Sequence, residues 1–269
     1  MPDLTLGLFA LVPLLTVELA KTTRWAALLG AHRPPFVHCL QALVSGQVAN
    51  LLSPLRAGEA IQVGFLTLRK GAVAPAAATL IGIKVLDACV LLVLASSIFG
   101  AAVVGGSAAW LVVAAAVLST AAGVAVVGGG DQLRLVMLRL PLADRLGVAH
   151  LQDVADALRS QRVLLVVGLT SSLAWSAGLL ANVAVLGAVG IQPTFDLAAR
   201  MLVAGYAVGI LPAPPARVGT LEAGIALALG SAGVAPVTAL AAAVTLHVLQ
   251  LAELALLVVV SVVMPRWSR

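Results

Sequence analysis

The residues specify an all-α integral membrane protein: about five full transmembrane helices and two re-entrant, broken-helix hairpins, arranged as an inverted repeat. Three observations carry this. The chain of 269 residues is 61% hydrophobic and 10% charged, with a mean hydropathy of +1.11, whereas soluble domains carry roughly 25% charged and 45–50% apolar residues. Several apolar runs reach the roughly 17–25 residues needed to cross a bilayer. Two further apolar regions are each cut in the middle by proline and glycine, with the same spacing.

The elements follow in order. The first span runs from Leu4 to Ala20, extending toward Leu29. It has no basic residues before it, and Lys21 and Arg24 come after it, so it does not read as a cleavable signal peptide. Glu18 reads as an interfacial partner of those two cations. Gln41–Leu55 and Ala60–Thr67 flank a break over Pro54–Gly58, with Gln47 and Asn50 lining the first hairpin. Val73–Phe99 is the second span and Ala108–Val127 an unpaired third. The loop 131–162 sets Leu133, Leu135, Leu138 and Leu142 among arginines, a pattern that lies along the inner membrane surface. Val163–Val189 is a span, Leu197–Leu211 and Leu221–Leu229 flank a break over Pro212–Gly219, and Val237–Met264 is the last span. At 1.5 Å per residue, each piece of a broken region is too short to cross. Irregular backbone at membrane depth survives only inside protein or beside a wet cavity. Cys39 and Cys89 read as small core residues.

The broken regions read as copies. Arg56 to Pro75 and Arg217 to Pro236 both cover 19 positions. At the offset of 161 between the two arginines, Pro54 falls on Pro215, Gly58 on Gly219 and Val73-Ala74-Pro75 on Val234-Ala235-Pro236. The chain is then a single domain over residues 1–269: repeat 1 over about 1–100, a connecting helix and cytoplasmic loop over about 101–162, and repeat 2 over about 163–269. The single crossing between the copies inverts the second, a transporter pattern. Charge placement tests the topology. One side receives Lys21, Arg24, Arg33, Arg69, Lys70, Arg134, Arg139, Arg145, Arg159, Arg162, Arg266 and Arg269, the other only Arg200. Twelve against one makes the first side cytoplasmic and puts the N-terminus outside.

Arg56, Lys84 and Arg217 then fall inside the membrane, with Glu59, Asp87, Glu222, Glu253 and His247. An ionisable group at the bilayer centre costs roughly 2.5–3.5 kcal/mol on insertion scales, so such groups persist only when paired or hydrated. Arg56 and Arg217 stand at the hairpin tips, where two half-helices begin after Gly58 and Gly219. Two guanidinium groups and two helix N-termini suit an anion, a phosphate or phosphodiester in particular. The expected substrate-binding set is Asn50, Arg56, Glu59, Lys84, Asp87, Arg217, Glu222 and His247, with Pro54, Gly58, Pro215 and Gly219 as hinges and no metal. A plainer reading pairs Arg56 with Glu59, Lys84 with Asp87 and Arg217 with Glu222 as internal staples, and makes His247 and Glu253 a helix-packing contact.

Arg24-Trp25, Gly46-Gln47-x-x-Asn50, Pro54-x-Arg56-x-Gly58-Glu59, Lys84-x-x-Asp87 and Pro215-x-Arg217-x-Gly219-x-x-Glu222 together resemble the lysylphosphatidylglycerol synthase transmembrane-region family, also called flippase-like domain proteins. The resemblance covers the chain from about Leu14 to the C-terminus. It implies movement of lipids or lipid-linked head groups between leaflets of a bacterial inner or plasma membrane, beside glycolipid, hopanoid or polyprenyl-linked pathways. The sequence departs from the family pattern at Lys84 and His247, where arginines are usual, at Arg217, usually glycine, and at Leu221, usually arginine. The first span corresponds to the family's second. A stand-alone member is expected, with any aminoacyl transfer carried by another protein.

The functional expectation is a lipid translocase for an anionic phospholipid, glycolipid or polyprenyl- or hopanoid-linked lipid. It is not an enzyme, has no cofactor and no nucleic-acid partner, and works with membrane lipids and a lipid-pathway glycosyltransferase or synthase. No GxxxxGK[ST] loop is present, so transport is passive or ion-coupled, with Glu59, Glu222 and Asp87 as proton carriers. The alternatives are an integral-membrane lipid-modifying enzyme and a structural or regulatory partner of a lipid glycosyltransferase.

Overall fold

The structure, a computed structural model, describes residues 4–30, 34–53, 57–70, 73–104, 160–209 and 213–267. Among these there are helices and turns and no strand. The helices are α1 Leu4–Phe9, α2 Leu11–Leu28, α3 Phe36–Leu52, α4 Gly58–Lys70, α5 Val73–Val104, α6 Gln161–Ala188, α7 Phe195–Val208, α8 Thr220–Gly230 and α9 Pro236–Trp267. A 3₁₀ turn, Pro215–Arg217, precedes α8.

Local chemistry explains the boundaries. α1 and α2 part at Ala10 because Pro13 has no N–H to return to the Phe9 carbonyl. α3 stops just before Pro54, and α7 stops just before the proline-rich run that starts at Pro212. Pro236 opens α9 at a position whose N–H has no helical partner in any case. Thr194 caps α7, its Oγ1 accepting the Leu197 N–H at 3.2 Å.

Four stretches are long and apolar enough to cross a membrane: Thr5–Leu28, Ala76–Ser96, Gln161–Ala188 and Pro236–Val263. Their outer faces carry exposed Leu and Val side chains, as a lipid-facing surface requires. The protein is a multi-pass, all-α membrane protein. The helix bounds also follow the sequence repeat: at an offset of 161, α4 begins where α8 has its cap, at Gly58 and Gly219, and α5 and α9 are both 32 residues long. The expected span Ala108–Val127, the amphipathic loop 131–162 up to Arg159, Pro54 and Arg56 lie outside the described residues.

The chain forms two units. The first comprises Met1–Lys21, Leu43–Ile61 and Ser172–Arg269. Its core packs Val185 and Leu186 of α6, Met201 of α7, Leu221, Ile225 and Leu229 of α8, and Ala239, Ala242 and Ala243 of α9. The alanines let the helix backbones approach closely. Buried Asn182 ties α6 to α7, its Nδ2 donating to the Ala198 carbonyl at 3.0 Å.

The second unit comprises Thr22–Ala42 and Gln62–Ser171. Trp25, Leu28, Cys39, Leu66, Ala76, Ile83 and Val167 form its core. Two neighbouring residues of α2 clamp α5. Trp25 Nε1 donates to Thr79 Oγ1 at 3.0 Å. Arg24, 2% exposed, gives a fork of two hydrogen bonds to Asp87, Nη1 to Oδ1 and Nη2 to Oδ2, both at 2.8 Å. Its Nη1 also donates to Ser171 Oγ of α6 at 3.1 Å.

The first span reaches Leu28, next to the Leu29 toward which it was expected to extend, so Lys21 and Arg24 belong to the helix. Two readings of partners change. Arg24 is a buried partner of Asp87, leaves the tally of cytoplasmic cations, and does not serve Glu18, which binds Lys21 at 2.8 Å. Asp87 has a partner that the sequence reading did not give it: both its oxygens face Arg24, while Lys84, three positions before it, is exposed. The reason is geometric: a planar guanidinium from a facing helix satisfies both carboxylate oxygens at once, which a lysine one turn away cannot do.

Asp87→Ala, which leaves a buried guanidinium unpaired, is expected to cost about 3–5 kcal/mol, whereas Arg24→Leu combined with Asp87→Leu should recover most of that loss. Denaturant unfolding of the three variants in detergent checks this, and equal instability of single and double variants would contradict it.

Candidate functional site

Both described helix breaks belong to the first unit. The first lies between α3 and α4. Asn50, in the last turn of α3, reaches over it: its Oδ1 accepts the Gly58 N–H at 2.8 Å, and its Nδ2 donates to Glu59 Oε2 at 3.5 Å. A side-chain oxygen from one half-helix thus caps the other and satisfies a backbone donor that water does not reach. Glu59, half-buried in the first turn of α4, lies where the helix dipole favours negative charge. A Cβ on Gly58 would collide with the Gly46 carbonyl oxygen and lie 2.5 Å from the Asn50 amide. Gly58 is therefore a point of backbone contact between the half-helices, which is a stronger requirement than a hinge. The Gly46, Gln47 and Asn50 pattern now has a physical content. Gly46 abuts Gly58, Gln47 donates to Glu18 Oε2 at 2.5 Å, and Asn50 caps α4.

The second break is built differently. Pro214 leads into the 3₁₀ turn, and Ala216 and Arg217 both take left-handed backbone conformations, with φ of 56° and 57°. Such conformations cost a non-glycine residue of order 1–3 kcal/mol and persist only where the surroundings impose them. Gly219, at φ 80°, needs no such compensation. The Thr220 hydroxyl donates to the Arg217 carbonyl at 2.9 Å and pins the turn. Glu222 then reaches back so that its Oε2 accepts the Gly219 N–H at 2.8 Å. Its Oε1 lies 2.6 Å from Nδ1 of buried His247 on α9. The Arg217 side chain is half-buried and folds toward the end of α7: Nη1 lies 3.6 Å from the position a Gly209 Cβ would take. A cation beside the last turn of a helix is favoured by the helix dipole.

Of the expected set, the structure brings Asn50, Gly58 and Glu59 together at the first break, and Gly219, Glu222 and His247 together at the second with Arg217 alongside. Asp87 belongs to the clamp in the second unit, and Lys84 lies three positions before it on α5. His247 contacts Glu222 rather than Glu253. Sequence reasoning passed over Arg24 and Gln47 as functional partners, although both stood in the motifs. The available signal was a cation inside an apolar helix, which needs an internal partner.

A Gly-Gln-x-x-Asn helix, a Gly-Glu half-helix, and a second break closed by Gly-x-x-Glu form one pattern over nearly the whole chain. The family model described as the lysylphosphatidylglycerol synthase TM region matches it over residues 3–258. The chain belongs to that family. No curated protein and no solved structure matches it. As a member of the lysylphosphatidylglycerol synthase TM region family, it is a multi-pass membrane protein of lipid metabolism.

Gly58→Ala forces α3 and α4 apart and is expected to cost about 1–3 kcal/mol. Gly64→Ala, six residues on in the same helix with open space around it, should be stabilising by about 0.5–1 kcal/mol. Opposite signs in thermal unfolding support the contact at Gly58, and equal effects refute it.

Proposed function

We propose that the protein moves lipids with an anionic head group between membrane leaflets, gripping the head group at the helix breaks while the acyl tails stay in the bilayer. One observation carries this. In the interior of an apolar chain, Arg217 is held in a left-handed backbone conformation at the opened start of a half-helix. Strain of that kind concentrates where a site is pre-organised. The Arg217 guanidinium, next to the end of α7, would offer a phosphate charge and two-point hydrogen bonding, and the start of α8 a few residues on adds the positive end of a dipole. Glu222 occupies the Gly219 N–H, so an arriving phosphate would compete for that donor. By the sequence repeat, Arg56 supplies the equivalent charge at the first break.

In this reading the protein is a transporter and not an enzyme. The α3–α4 and α7–α8 pairs are re-entrant hairpins, and the chain has about five full crossings as an inverted repeat. The N-terminus lies outside and the C-terminus in the cytoplasm of a bacterial inner membrane. A glycosyltransferase or synthase of the same lipid pathway is the expected partner. Family membership, the matching helix bounds and the charge bias support it.

In liposomes with a labelled anionic lipid in one leaflet, Arg217→Ala should slow lipid movement about tenfold to a hundredfold, the loss of a charge-assisted hydrogen bond worth about 1.5–3 kcal/mol. Arg217→Lys should restore part of the rate, since charge returns without the planar fork. Full activity of folded Arg217→Ala would return the residue to a structural role.

The inverted repeat has its own test. Introduced cysteines at Arg69 and Ser231 should label from opposite faces of the membrane, the first from the cytoplasm. Labelling of both from one face would end that reading.

A further inference from the structure

The polar groups of the first unit include one that neither helix break uses. On α2, Glu18 is 6% exposed and both its oxygens are served: Lys21 Nζ donates to Oε1 at 2.8 Å and Gln47 Nε2 of α3 donates to Oε2 at 2.5 Å. Lys21 is further held 5.9 Å from the centre of the Tyr206 ring on α7. Within electrostatic reach of this pair, on α9, stands a second acid, Glu253, which is 7% exposed. Its Oε1 is buried and has no hydrogen-bond partner. One turn earlier on α9, Gln250 Oε1 is also buried and also has no partner.

Charge accounting decides what is missing. Lys21, the cation that acts on Glu253, already compensates Glu18. Ionised Glu253 would leave a net negative charge among apolar helices, next to a like charge, which is costly. Two bare acceptors one turn apart also demand a donor that the described residues do not supply. A metal ion suits the place poorly. Among the described residues no group of three or more His, Cys, Asp or Glu could hold one, and an ammonium already lies against one of the two carboxylates. The smallest species that supplies both one positive charge and one hydrogen-bond donor is a proton. We propose that Glu253 and Glu18 form a proton-binding site within the membrane, with the proton carried on Glu253.

Among the described residues, the charged and titratable groups facing the site are Glu18 and Lys21 from α2 and, beside Lys21, Tyr206 from α7. His247 lies six positions before Glu253 on α9 and is engaged by Glu222 of α8. Proton binding to a Glu253 oxygen leaves a neutral set, ionised Glu18 with protonated Lys21 beside a neutral acid. Proton release leaves one net negative charge and requires water or a rearranged Lys21. Proton occupancy is thereby tied to the conformation of α2 and α9. Where lipid movement is coupled to an ion, a step that rests on the translocase reading above, this acid is the coupling site.

The test is infrared difference spectroscopy of the purified protein in lipid nanodiscs as pH is varied. The wild type should show the carbonyl stretch of a protonated carboxylic acid that Glu253→Gln removes. Glu18→Gln should keep the band but move the pH at which it is lost, since a neighbouring charge has gone. Replacing choline with Na⁺ at constant pH should leave it unchanged. Absence of any band sensitive to Glu253→Gln, or a band displaced by Na⁺, overturns the proposal. Glu253→Gln conserves size, and the wild-type and Glu18→Gln titrations stand if it fails to fold. In liposomes, lipid-driven proton uptake should be lost in Glu253→Gln. The band without lipid movement in the wild type sinks the translocase reading alone. Lipid movement without the band sinks the proton site alone.

Discussion

Polar groups inside an apolar chain must be satisfied by the chain itself, and most of the specific geometry of this protein follows from that requirement. A lipid-facing helix offers neither water nor counterions, so an ionised side chain costs several kcal/mol unless a partner is built in. The Arg24–Asp87 fork, the Glu18–Lys21–Gln47 cluster and the Glu222–His247 contact are three such arrangements. In each, residues from different helices meet, so the polar contact also sets which faces of the helices pack. The surrounding core is made of alanine, valine and leucine, which pack well in many registers. A fork of two 2.8 Å hydrogen bonds accepts only one.

The same requirement applies to backbone wherever a helix is interrupted. The two breaks stand at matching sequence positions, yet they satisfy the exposed N–H groups in opposite ways. At the first, Asn50 reaches forward across the gap to Gly58; at the second, Glu222 reaches back to Gly219. Beside the first, Gly58 abuts the Gly46 carbonyl and no side chain fits. The second holds two non-glycine residues in left-handed conformations. The described flanks of the two breaks thus differ: a backbone contact at Gly58 in one, and a left-handed pair that includes Arg217 in the other.

The fold was largely legible in the residues, and the site only partly so. Span positions came from counting apolar residues against bilayer thickness, and the breaks came from proline and glycine, whose effects are local. α4, α7 and α8 therefore begin and end close to where the residues put them, while α3 starts earlier than expected, at Phe36 rather than Gln41. The capping of α8 by Glu222 has a local signature too, an acid three positions beyond a helix start. For Asp87 a lysine three positions away is the partner that a helix suggests, while Arg24, which grips both its oxygens, lies 63 positions away. No local rule ranks those two.

What the order of residues established is therefore everything with a short range: membrane residence, helix lengths, break points and the offset of 161 that relates two halves. What waited for the packed helices is the assignment of partners among buried polar groups: Arg24 to Asp87, Gln47 to Glu18, His247 to Glu222, and, among the described residues, no donor to Glu253 Oε1. The physical reason is one of reach. Helix formation and membrane insertion are governed by hydrogen bonds and transfer energies within about a turn or a span. The pairing of a buried charge depends on which helix faces it, and that is a property of the assembled core.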